Sequence, residues 1–163
     1  MSGAGRADLQ LHSDLGDGLA SPEAILDAAE RASLDVIALT DHDDIRGSFL
    51  IRDIAAKRGS KVQVVPGIEV TTRSGHLLAL WVEDEIKMLG SLAATIAKIH
   101  ALGGLAVVPH PLSFLTFSVG EGALRVLHVG PPESRVDGLE LRNPSYAGRV
   151  RHGRAQWLNE HVL

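Results

Sequence analysis

Runs of apolar residues bounded by polar or glycine-rich stretches divide the chain into alternating short and long periods. Val36-Ile37-Ala38-Leu39 is a continuous apolar run that ends in Thr40-Asp41-His42-Asp43, the pattern of a strand buried on both faces. Ala7 to Ser13 alternates apolar and polar residues and reads as a shorter strand, followed by the glycine-rich loop Asp14-Leu15-Gly16-Asp17-Gly18. Val62–Pro66, Gly75–Val82, Leu105–Val108 and Val136–Leu141 supply four more strand patterns. Between them, Ser21-Pro22-Glu23 opens a helix with a hydroxyl cap, a proline in the first turn and an acid behind it. Ile45 to about Arg58, closed by Gly59, reads as a second helix. Leu89–Leu102 before Gly103-Gly104 is a third, and Arg149 to about Glu160 a last one. The stretch from Phe114 to Pro132 is an irregular excursion holding a short helix near Glu121–His128. Strands alternating with helices at this spacing predict an α/β fold of about six βα units around a mainly parallel sheet.

Composition narrows the class. With 163 residues, 45% apolar and 22% charged, the chain is long enough for one domain with a core of its own. A formal charge of −4 gives no general attraction to nucleic acid or anionic membrane. No run reaches the roughly 18 apolar residues of a membrane span, and the first residues lack the apolar segment of a secretion signal. Cysteine is absent, which excludes disulfides and thiolate metal sites and fits a reducing, cytoplasmic setting.

The chemistry-bearing residues fall at strand ends or in the loops just after them: His12, Asp17, His42, Glu69, His76 and His110. In α/β folds the carboxyl ends of parallel strands are where sites are built. Imidazole and carboxylate donors without thiolate suit zinc, manganese or iron. Six such ligands exceed the need of one tetrahedral ion and suit two or three, the arrangement that activates a water and clamps a phosphoryl group. Asp41 is expected to orient His42 or a helix start rather than to bind metal. Asn143, at the end of the last strand, is a candidate substrate contact. His100, His128, His152 and His161 fall in helix patterns or the excursion, and packing or surface roles suit them better. An amide hydrolase with a carbamylated lysine would share the ligand types, but Lys61 and Lys98 do not stand at strand ends.

The motifs that carry these residues resemble the PHP (polymerase and histidinol phosphatase) family. Asp8-Leu9-Gln10-Leu11-His12-Ser13 is similar to its opening motif, Asp17-Gly18 to its Ser-Asp-Gly loop, and Thr40-Asp41-His42-Asp43 to its second motif. Pro66-Gly67-Ile68-Glu69, His76-Leu77-Leu78, His110-Pro111 and Asp137–Asn143 resemble the motifs that follow. The resemblance implies a distorted (β/α)7 barrel, incomplete in this chain, over residues 7–163 behind a flexible N-terminus of residues 1–6. It implies His12, Asp17, His42, Glu69, His76 and His110 as ligands of two or three divalent ions. It further implies hydrolysis of a phosphate ester of a small metabolite, nucleotide or nucleic-acid end by a metal-activated hydroxide. The alternative is a degenerate, non-catalytic module with a partial metal site. Two departures bear on this. Gln10 stands where the family usually has its first histidine, and the late Gly-Ser-Asp-Ala-His type segment is absent, as in a fragment or an unusually short member. A missing seventh strand predicts an open edge beside Val136–Leu141 that invites self-association.

Overall fold

A computed structural model describes residues 5–161. Six strands, β1 (Ala7–Leu11), β2 (Val36–Leu39), β3 (Gln63–Thr72), β4 (Gly75–Leu80), β5 (Leu105–Val108) and β6 (Gly138–Leu139), pair in sequence order. Five helices accompany them: α1 (Pro22–Arg31), α2 (Arg46–Arg58), α3 (Leu92–Ala101), α4 (Glu121–Val129) and α5 (His152–His161). Among the described residues the fold is α/β with six strands, as the periodicity predicts, one fewer than the seven-stranded barrel that the family resemblance implies. The chain forms two compact units, one running to Glu69 with Leu80–Glu85, the other Val70–Ala79 with the residues from Ile86 onward. Of the expected flexible N-terminus, Met1–Ala4 lie outside the described residues, while Arg6 donates from Nη1 to the Ala32 carbonyl at 2.6 Å.

The first unit is two βα turns on three parallel strands. β2 pairs in parallel with β1 and with β3, Leu39 standing opposite both Leu11 and Pro66. Ile25, Leu26 and Ala29 of α1 and Ile51 and Ala55 of α2 close over Ile37 and Leu39 to make its core. α1 begins where its residues dictate: the Ser21 hydroxyl accepts from the Ala24 amide at 3.2 Å, and Pro22 needs no partner for an amide hydrogen it lacks. α2 ends at Gly59, whose φ of 65° is the left-handed cap that glycine adopts without strain. β3 differs from expectation. The sequence pattern ends it at Pro66, yet it runs on to Thr72 and carries Glu69 inside it. Pro66 is tolerated because only its carbonyl is used here, accepting from the Trp81 amide at 2.7 Å.

Only two residues separate β3 from β4, so these neighbouring strands are antiparallel; a parallel pair would need a far longer crossover. α3 packs on β5 and starts at Leu92, with Ser91 as its cap, three residues later than the apolar pattern alone suggests. β5 and β6 are parallel, and Asp137 and Glu140 extend the pairing by donating to Ala106 and Val108 at 2.8 Å each. β6 is thus a short edge rather than the six-residue one expected, and short edges offer little template for another chain. Asp137 also accepts from the Ala106 amide at 2.7 Å and lies 2.9 Å from His100 Nε2, which gives His100 the structural role the sequence suggested.

Glu121 ties α4 to α5. It accepts from Arg125 Nη2 at 2.9 Å and from Arg154 Nη2 at 2.7 Å. The Arg154 guanidinium first, then Arg125, hold its carboxyl down to a pKa of about 2. A depressed carboxylate contributes stability above its unfolded value, and that contribution is lost as pH falls through about 2. The Glu121→Gln protein is therefore expected to differ from wild type in urea midpoint at pH 6 and to converge with it toward pH 2. A difference that persists at pH 2 would contradict the ion-pair account.

Candidate metal centre

The first unit brings four predicted ligands together. His12 follows β1 directly, and the loop behind it folds back on the chain: the amides of Gly16 and Gly18 both donate to the Ser13 carbonyl, at 3.0 and 2.9 Å. A Cβ at Gly18 would collide with the backbone carbonyl of His12, so this turn requires glycine. The result sets Asp17 beside His12, with Oδ1 3.2 Å from Nδ1. That pair has ion-pair spacing without hydrogen-bond alignment.

His42 is held on the other side. The Asp43 amide donates to the Glu69 carbonyl at 3.0 Å and the Glu69 amide to the Asp41 carbonyl at 3.2 Å, so His42 pairs with Glu69 as a parallel bridge past the end of β2. Asp43 takes a φ of 53° to make this turn, a conformation aspartate tolerates better than most residues. The His12 and His42 rings stand 4.9 Å apart. His12 Nε2 lies 3.1 Å from Glu69 Oε2, and His42 Nε2 lies 3.7 Å from Asp17 Oδ2. Glu69 is completely buried, which rules out an ordinary surface acid. Asp17 is 64% exposed and faces solvent.

One donor atom from each of His12, His42 and Glu69 falls within 4.8 Å of the others. With bonds of about 2.0–2.2 Å to imidazole and carboxylate, neighbouring donors around one ion stand roughly 3.0–3.6 Å apart. His12 Nε2 and Glu69 Oε2, 3.1 Å apart, have the spacing of neighbouring donors around one ion, while Asp17 meets His12 on its other nitrogen, Nδ1. An imidazole pair with a carboxylate suits zinc, manganese or iron. Burial pulls the His12 pKa down, but the hydrogen bond and charge of Glu69, with the charges of Asp17 and Asp41, outweigh it and leave the pKa raised.

Asp41 supports this set by a route the sequence did not show. Rather than turning His42, it receives the Ser13 amide on Oδ1 at 2.6 Å and the Ser13 hydroxyl on Oδ2 at 2.7 Å. Both residues are buried. The bond fixes the backbone next to His12, and so fixes His12. Ser13 is the residue that sequence reading missed; its place after His12 was the available signal.

In the second unit, His76 of β4 and His110 after β5 meet with ring centroids 5.7 Å apart, and Phe117 packs edge-on against His76 at 5.5 Å. His110 has a φ of 32°, a strained value for a residue with a side chain. Three contacts hold it there. Its amide donates to Glu140 Oε2 at 2.6 Å, and Nδ1 lies 2.9 Å from Ser118 Oγ and 3.1 Å from Thr116 Oγ1. Nothing in the sequence of the excursion marks these two hydroxyls. Asn143 is committed to structure: Nδ2 donates to Glu140 at 2.9 and 3.0 Å, and Oδ1 accepts from the Ser145 amide and hydroxyl. Its amide therefore buttresses the carboxylate that holds His110.

The family model of the PHP domain matches residues 8–123, the stretch that contains all six candidate ligands. The chain belongs to the PHP domain family. An uncharacterized protein of Methanocaldococcus jannaschii is 34% identical over 149 residues, covering 85% of this chain and 81% of its own. A phosphoribosyl 1,2-cyclic phosphate 1,2-diphosphodiesterase of Eggerthella lenta is 35% identical over 101 residues, 58% of this chain and 38% of that enzyme. Among solved structures, a two-domain protein of Bacteroides vulgatus named for its predicted PHP-like metal-dependent phosphoesterase superposes with a TM-score of 0.70 at 23% identity. That match covers 95% of this chain and 48% of the other, and it shows the fold to be the PHP type, here with an incomplete set of strands. The chain spans well under half of that phosphodiesterase and about half of the Bacteroides vulgatus protein. No helix among the described residues is long and apolar enough to cross a membrane.

Proposed function

We propose that the chain hydrolyses a phosphate ester of a small metabolite, a nucleotide or a nucleic-acid end, using two or three divalent ions of zinc, manganese or iron. The ligands are His12, Asp17, His42 and Glu69 in the first unit and His76 and His110 in the second. The observation that carries this reading is the gathering of His12, His42 and Glu69 donor atoms within 4.8 Å around a fully buried carboxylate. A buried carboxylate among imidazoles is costly without a cation to share its charge. Bound divalent ions would supply Lewis acidity to the phosphoryl oxygens and lower the pKa of water. The protein's own part is positional. Asp41 and Ser13 fix His12, the Asp41–Glu69–Asp43 backbone bonds fix His42, and Ser118, Thr116 and Glu140 fix His110. Asp17, exposed at the solvent side, is the ligand best placed to meet an entering substrate.

The test is a panel of phosphomonoesters, cyclic phosphates, nucleotides and short oligonucleotides, offered to the protein loaded in turn with each ion. Turnover of at least one class, abolished by a chelator and restored by metal, is expected. Stoichiometric metal loading with no turnover on any class would overturn the catalytic reading in favour of a non-catalytic module.

A further inference from the structure

The excursion between β5 and α4 is seated on the histidines of the second unit. The His76 amide donates to the Phe117 carbonyl at 3.1 Å, and the Leu112 amide donates to the Val119 carbonyl at 3.1 Å. Gly75 permits this close approach: at its φ of 127°, a Cβ would stand 2.5 Å from the Val119 backbone nitrogen. Phe117 is thereby fixed against His76, with ring centroids 5.5 Å apart and ring planes at 87°. Even so, Phe117 stays 48% exposed. The chain has three phenylalanines, and a second one, Phe114, lies on the same excursion. Phe114 is 72% exposed, with the Arg151 guanidinium 6.0 Å from its ring centre. Packing does not explain an anchored loop that keeps two large rings in water. Exposed apolar surface of this kind, rimmed by polar groups, marks a place that a ligand covers.

We infer that Phe117 is a specificity-determining residue of this site, stacking a flat ring carried by the phosphate ester, so that nucleotides are preferred to ring-free sugar phosphates. The inference rests on the phosphoesterase reading above. His76 is one of the candidate ligands there, so the phosphate would be held one side chain away from Phe117. The rest of the ester then meets the surface around it, and that surface includes a fixed aromatic ring. An aromatic ring gains from an offset-stacked partner beyond the area it buries. Stacking also accepts any base, because every base has a π-face. A sugar phosphate of the same charge lacks that gain. The Arg151 guanidinium on the same excursion suits an anionic ester.

The test compares adenosine 5′-monophosphate with ribose 5-phosphate, which share the phosphate and the sugar and differ in the base. Kinetics are measured on the metal-loaded full chain as wild type, Phe117→Leu and Phe117→Tyr. Wild type is expected to favour the nucleotide in kcat/KM by about tenfold or more, with the difference in KM. Phe117→Leu should bring the two esters to near parity, and Phe117→Tyr, which keeps the ring, should retain the preference. A second readout needs neither turnover nor a folded leucine variant. In wild type carrying fluorinated phenylalanine, the nucleotide should shift the Phe117 fluorine resonance and ribose 5-phosphate should not. A role limited to supporting His76 would slow both esters alike in Phe117→Leu. That equal loss, equal handling of the two esters by wild type, or a fluorine resonance that answers both or neither, overturns the inference and leaves the phosphoesterase reading standing. If wild type turns over no phosphate ester at all, the proposed function itself fails, and this inference with it.

Discussion

Replacing Glu69 with glutamine is expected to lower divalent-metal affinity by more than about 100-fold while the protein stays folded. Groups that merely orient a ligand change affinity by about 10–100-fold when removed, so loss of a central ligand must exceed that. Glu69 is fully buried and touches both Gln10 and His12, and glutamine keeps its shape and one acceptor oxygen for them. Metal binding at 100 times Kd stabilises a folded protein by roughly 2.7 kcal/mol. That increment should appear in wild type on adding metal and vanish in Glu69→Gln at the same concentration. Equal thermal stabilisation of the two proteins by metal would remove Glu69 from the centre.

Asp41→Ala is expected to damage stability and site together. It strands two buried donors, the Ser13 amide and hydroxyl, that the carboxylate now receives at 2.6 and 2.7 Å. Hydrogen bonds to a charged partner contribute about 1.5–3 kcal/mol each, so the loss should be roughly 3–6 kcal/mol by denaturant unfolding. Because Ser13 adjoins His12, metal affinity should also fall by about 10–100-fold in the fraction that folds. Asp41→Asn keeps one acceptor and should fall between the two. An Asp41→Ala protein with wild-type stability would show that the Ser13 bonds do not hold the loop.

The sequence made some of this legible and not the rest, for identifiable reasons. β2 and α1 declare themselves locally, through an uninterrupted apolar run and a Ser-Pro-Glu start, and both form where read. The pattern stops β3 short because proline usually ends a strand, and whether its missing amide matters depends on its neighbour, here the Trp81 donor to its carbonyl. α5 begins at His152 rather than Arg149, after a turn in which Arg151 takes a φ of 63° that no sequence pattern announces. The ligand types were legible because their motifs place them at strand ends. What was not legible is which groups support them. Ser13 and Asp41 are 28 residues apart, and Gln10 and Glu69 are 59 apart, so their hydrogen bonds exist only once β1, β2 and β3 are side by side. Ser118 and Thr116 reach His110 from an excursion that carries no periodicity at all.

The central claim is that His12, His42 and Glu69 hold a divalent ion. Anomalous diffraction from crystals soaked in Mn2+ tests it most directly, because the signal reports the ion's position and its ligands in one measurement. The structure predicts a peak bonded to His12, His42 and Glu69 at about 2.0–2.3 Å. A protein that takes up Mn2+ only at sites remote from these side chains, or shows no peak there at saturating Mn2+, would contradict it.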